Sequence, residues 1–119
     1  MPRVSRAKVE ETNKSFEALR KELLRTNKRF RNDLAFDEVK IQVAMEMVNA
    51  RHDRNLLQRQ LAKLAERDQG LISRIERMEA NPTLKLIAEI AVAMNKKVVI
   101  RFEDFEDFED FEDFEGSKK

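Results

Sequence analysis

The sequence predicts an all-α fold, a five-helix bundle followed by one short β-strand, and three observations predict it. Apolar residues return at three- and four-residue spacing in five successive windows. Residues suited to helix ends, namely Asp37, Asn55, Asp68, Asn81 and Asn95, stand between those windows. One stretch, "KKVVIRF" at 96–102, is short and β-branched, as a strand should be.

The elements follow in order. Residues 1 to about 14 are polar and basic without periodicity and read as a flexible arm. From Ser15 to about residue 31, Phe16, Leu19, Leu23 and Phe30 fall on one face of a first helix. That narrow stripe must be covered, by the chain's own core or by another chain. Asp37 reads as the N-cap of a second helix, "EVKIQVAMEMVNARHDR". Val39, Val43, Met47 and Ala50 line one side of it and Ile41, Ala44 and Val48 the other, which makes it central to the fold. A third helix starts from Asn55, with Gln58 completing a variant capping box. Leu57, Leu61 and Leu64 form its face, and Ala62 and Ala65 allow a neighbouring helix to come close.

Asp68 caps the fourth helix, "QGLISRIERM", in which Leu71, Ile72 and Ile75 are apolar. Pro82, behind Asn81, occupies the first turn of the fifth, "LKLIAEIAVAM", which ends at Asn95 in a left-handed cap. The methionines at 45, 47, 78 and 94 read as core or dimer packing. A single strand cannot satisfy its own backbone, so 96–102 is expected to pair with its counterpart in a homodimer. The organisation is then an arm and amphipathic helix at 1–36, a helical domain at 37–95, a dimerisation strand at 96–102 and an acidic tail at 103–119.

Composition narrows the chemistry. The 119 residues include no cysteine, which removes disulfides, thiolate metal sites and thiol nucleophiles together. One histidine, His52, cannot build a multi-histidine metal site, and a surface or phosphate-adjacent role suits it better than a catalytic one. No paired catalytic residues stand out, so no enzyme, metal or cofactor is expected. No apolar run approaches the roughly 18 residues of a membrane span. The opening residues lack the apolar middle of a signal peptide, which points to the cytoplasm.

Net charge is +1, but nine of the 23 acidic residues lie in "FEDFEDFEDFEDFE" at 102–115. The remaining 14 face 22 of the 24 basic side chains within residues 1–101, a body of +8. Such a body suits a polyanion, since phosphate contacts release counterions; the plain alternative is charge for solubility. The tail repeat has a period of three, so its phenylalanines would spiral around an α-helix. It reads as disordered, with either no role or that of an acidic ligand for a basic groove, the protein's own or a partner's.

Two short helices separated by a tight turn in a basic helical domain point to a helix-turn-helix. Leu56 and Gln58, Leu61-Ala62, Gln69, "ISRIE" at 72–76, "NPTL" at 81–84 and "IAVAMNKKVVIRF" at 90–102 extend the pattern. Over roughly residues 37 to 102 the chain resembles the Cro/repressor-type (XRE) helix-turn-helix family, and within it the HigA-like antitoxins of type II toxin–antitoxin systems.

That resemblance implies a bacterial, cytoplasmic homodimer that binds double-stranded operator DNA, represses its own operon and neutralises a RelE/HigB-like endoribonuclease toxin. It would associate with the nucleoid when bound to DNA. A stand-alone phage- or plasmid-type repressor without a toxin is the alternative. The helix beginning at Gln69 would lie in the major groove. Gln69 would address adenine and Arg74 guanine, Ser73 a base or a phosphate, and Gln58 a phosphate at the start of the preceding helix. Gly70 would remove bulk between backbone and DNA so that Gln69 and Leu71 set the contact; otherwise it merely relaxes the turn after Asp68.

Arg51 and Glu76 would form a structural ion pair. Three positions depart from the family pattern. Leu57 stands where a Thr or Ser cap is common, with Asn55 expected to take over the task. Arg67 replaces a small aliphatic residue, and Met78 replaces a glycine, so the fourth helix is expected to end differently.

Overall fold

The computed structural model describes residues 5–105, which form five α-helices and, among the described residues, no strand. They are α1 (Arg6–Thr26), α2 (Lys28–Asp53), α3 (Gln58–Ala65), α4 (Gln69–Glu76) and α5 (Leu84–Ala93). The described residues divide into two units, 5–35 with 104–105, and Phe36–Glu103. The acidic repeat lies outside the described residues from position 106 onward.

In the first unit, helix begins earlier than periodicity suggested. Ser5 is the N-cap of α1, its side chain accepting from the Lys8 N–H at 3.1 Å. The segment expected to be a flexible arm is therefore helical from Arg6. Good helix formers and a capping serine outweigh the missing apolar face. Phe16 and Leu19 are 65% and 55% exposed, whereas Leu24, which the stripe did not include, is buried.

Asn27 separates α1 from α2. Its N–H donates to the Leu23 carbonyl, ending α1, and its side-chain oxygen accepts from the Phe30 N–H, beginning α2. Arg31 Nη1 donates to the Leu24 carbonyl at 2.9 Å and supports the same joint. Asp37 is consequently not an N-cap but an interior residue of α2, with its carboxylate 3.9 Å from Lys40. Nothing in "RNDLAF" breaks a helix, so the cap at Asn27 prevails.

The second unit carries the core. Met47, Leu61, Ala62, Ile72, Ile75, Ile90 and Met94 are buried together, with Val43, Ala50, Leu56, Ala65, Leu71 and Leu86 packed around them. The expected face of α2 holds at Val43, Met47 and Ala50, while Val39 and Ile41 are exposed. On α3 the buried pair is Leu61 and Ala62; Leu57 and Leu64 are more than half exposed. Met47 and Met94 are core residues, whereas Met45 and Met78 lie at the surface.

The ends of α2 to α5 share one device. Asn55, Glu66, Met78 and Asn95 all have left-handed φ, between 55° and 62°. In each case the N–H of that residue bonds the carbonyl three before it, and the next N–H reaches back five, as in Leu56 to Arg51 and Glu79 to Arg74. These are Schellman caps built without glycine. Asn95 ends α5 as expected. Asn55 does not cap α3; it closes α2, and α3 is instead opened by Leu57, whose N–H donates to Gln60 Oε1 at 2.7 Å. Thr83, not Pro82, opens α5, its side chain accepting from the Leu86 N–H.

Met78 takes φ 62° despite its side chain, so α4 ends as a glycine would have ended it. A left-handed non-glycine residue costs about 1–2 kcal/mol. Met78→Gly should therefore raise stability by about 1 kcal/mol in urea unfolding. An unchanged midpoint would count against strain there.

Residues 96–102 form no ladder within the chain. Val99, Ile100 and Phe102 are 79%, 62% and 96% exposed, so the expected strand is absent among the described residues. A strand exists only where a neighbour supplies hydrogen bonds, and no described segment does so here. Just before it, Arg54 Nε donates to the Met94 carbonyl, and Lys96 Nζ bonds Asp53 Oδ2 at 2.9 Å. The Lys96 bond and charge, then Arg54, lower the Asp53 pKa below the ordinary carboxylate value. This exposed latch is present at neutral pH and is lost as pH falls through that depressed pKa.

Candidate nucleic-acid interface

A helix, a three-residue turn and a second helix form the centre of the second unit: α3, then Glu66–Arg67–Asp68, then α4. Leu61 and Ala62 of α3 meet Ile72 and Ile75 of α4 in the core. The small Ala62 side chain lets the two axes approach closely. Packing therefore turns the remaining face of α4 outward. Arg67 also pins the turn to α5 through a 3.0 Å ion pair with Glu89.

Asp68 is the N-cap of α4, with φ −68° and ψ 140°. Its carbonyl accepts from the Leu71 N–H at 3.1 Å, while its carboxylate makes no capping bond. Gln69, Gly70, Leu71, Ser73 and Arg74 then line one open depression together with Asp68 and Arg77. Five of the six positions expected to meet DNA are thus brought together on one surface. Arg74 keeps its guanidinium near its own helix, Nε lying 3.4 Å from the Gly70 carbonyl.

Gln58, the sixth, belongs elsewhere. Its side-chain Nε2 donates to Glu76 Oε1 at 3.0 Å, half-buried between α3 and the end of α4. Glu76 in turn receives Arg51, with Nε to Oε2 at 2.9 Å and Nη2 to Oε1 at 3.0 Å. The third arm of Arg51 donates to the Leu56 carbonyl. The expected Arg51–Glu76 pair is present, bidentate, and only 11% and 6% exposed at its side chains. Gln58 is part of that internal bridge, which leaves its backbone N–H and second amide hydrogen for any phosphate.

Gly70 has no structural demand upon it. A Cβ added there would meet nothing within 4 Å, and its φ is not in the left-handed range. The fold would accept alanine.

Arg77 was missed by sequence reasoning. It follows Ser73 by four residues and Arg74 by three, the helical spacing that puts side chains on one face. That spacing was the available signal. His52 is exposed, and among the described residues no cluster of His, Asp or Glu could hold a metal ion. No described helix is long and apolar enough to cross a membrane.

Comparison with known proteins agrees with this geometry. Residues 49–100 match the family model described as Helix-turn-helix. No curated protein and no solved structure matches. The stretch from 49 to 100, with α3 and α4 at its centre, is a helix-turn-helix domain of the kind that points to DNA-binding transcription regulation.

Proposed function

We propose that this protein is a sequence-specific operator-binding repressor, and that α4 is its recognition helix. The observation that carries the reading is the first turn of α4. There a glycine with no internal purpose lies between Gln69 and the arginine-bearing turn, on an open face. Glycine lets the backbone come close to a duplex, while Gln69 and Arg74 have the amide and guanidinium that pair with adenine and guanine edges. The +8 charge of residues 1–101 supplies attraction to phosphates.

Two substitutions test this. Arg74→Ala should cost about 1–3 kcal/mol of operator affinity and relax preference at one base pair. A mobility shift with the protein's own promoter at low salt measures it, and retardation unchanged in strength and selectivity would refute the assignment. Gly70→Ala should separate folding from binding. It should raise stability by about 0.5–1 kcal/mol while weakening operator affinity, because alanine is the better helix former. A variant more stable and equally tight would leave Gly70 with only a local role.

The finer reading is an antitoxin that also neutralises a RelE/HigB-like endoribonuclease toxin in a bacterial cytoplasm. What supports it is α1, a helix outside the matched domain with Val9, Phe16 and Leu19 exposed. Pairing of residues 96–102 between two copies is part of the same proposal, since Val99 and Ile100 are uncovered. A stand-alone repressor is the alternative. Co-purification with the product of a neighbouring reading frame encoding a small basic RelE-like protein separates the two; failure to co-purify favours the repressor alone.

A further inference from the structure

Arg77 ends α4, and its guanidinium is held from two sides. Nη1 donates to Ser73 Oγ at 2.8 Å, and Nη2 to Glu79 Oε1 at 3.0 Å. Both Arg77 and Glu79 are more than half exposed at their side chains, at 58% and 56%. An exposed pair of this kind adds little to stability. Its geometric effect is larger: the fork folds back along the helix into the depression that Gln69, Gly70 and Arg74 line. Two of the five guanidinium N–H groups are occupied, and the others remain for a ligand.

We propose that Arg77 clamps a DNA phosphate, that Ser73 is the positioning residue that aims it, and that Glu79 restrains its affinity. This rests on the DNA-binding reading above. The end of a recognition helix that enters by its N-terminus lies toward the rim of the groove, where backbone phosphates rather than base edges stand. Arginine's planar fork suits a phosphate's oxygens. Ser73 then acts through Arg77 instead of touching DNA itself. The Glu79 carboxylate repels the same phosphate, so it weakens binding to all sequences alike and leaves discrimination to Gln69 and Arg74.

The experiment uses the full chain and a fluorescent duplex selected by the wild-type protein from a random pool, titrated from 50 to 200 mM salt. Arg77→Gln should weaken binding about tenfold at the low-salt end and reduce the log–log salt slope by about one phosphate's worth, roughly 0.9. Ser73→Ala should weaken binding in the wild-type background and have no further effect beside Arg77→Gln. Glu79→Gln should tighten binding to selected and scrambled duplexes by the same factor.

Arg77 and Glu79 are exposed and Ser73 is half-buried beside the open depression, so thermal melts should stay close to wild type. A wild-type slope and affinity in Arg77→Gln would overturn the assignment while leaving the recognition helix in place. Additive losses from Ser73→Ala and Arg77→Gln would overturn the positioning role. If the wild-type chain selects no duplex at all, the DNA reading fails and the Arg77 assignment fails with it.

Discussion

Truncating Glu76 to alanine is expected to lower stability by about 3–5 kcal/mol, the cost of leaving a buried charge without its partner. Arg51 is held by both Glu76 oxygens and by the Leu56 carbonyl, with little exposure to water. Removing the carboxylate strands the guanidinium and also leaves the Gln58 amide without its acceptor. A small domain has about 5–15 kcal/mol in total, so this variant should be near unfolding at physiological temperature. Urea denaturation checks it. The paired change Arg51→Met with Glu76→Leu should recover most of the loss, because charge and partner leave together. A single variant losing less than about 1 kcal/mol would place the pair in a far wetter setting than its geometry implies.

Leu61→Ala should be nearly as damaging, at about 2–5 kcal/mol. Leu61 has no exposed surface and belongs to the cluster in which Ile72, Ile75 and Ile90 converge. The loss combines transfer of the removed methyls with the cavity left behind. Its functional consequence differs from that of Arg74→Ala. At low temperature the folded fraction of Leu61→Ala should bind DNA with unchanged sequence preference, since no group on the exposed face of α4 has been altered. Calorimetry and a mobility shift on the same sample would show both. Altered preference in the folded fraction would mean that Leu61 sets the angle of α4 rather than only its stability.

Much of the second unit was legible because side-chain chemistry and period agreed there. Ile72 and Ile75 repeat on one face and are buried, Arg51 and Glu76 were paired through the family resemblance and are paired, and Asp68 stands at the N-cap position, though its carboxylate makes no capping bond. The errors share a cause. Asp37, Asn55 and Pro82 are residues that favour helix starts, yet Asn27, Leu57 and Thr83 hold those places. Preference marks a region, while the bond that forms depends on which backbone groups tertiary packing leaves over. The Gln58–Glu76 bond was not legible either, because the two residues are 18 apart in sequence. The strand at 96–102 was inferred from composition, and composition cannot supply a hydrogen-bonding neighbour.

The left-handed stops at Glu66 and Met78 say something about how order arises along the chain. Neither residue would choose that conformation in a short peptide, so a fragment holding only α3 and α4 would have no local instruction to halt. The corner between them exists because the assembled interior makes straight continuation worse than a strained bend. Secondary and tertiary order in this region should accordingly appear in a single step, with the outer face of α4 unformed until the core has closed.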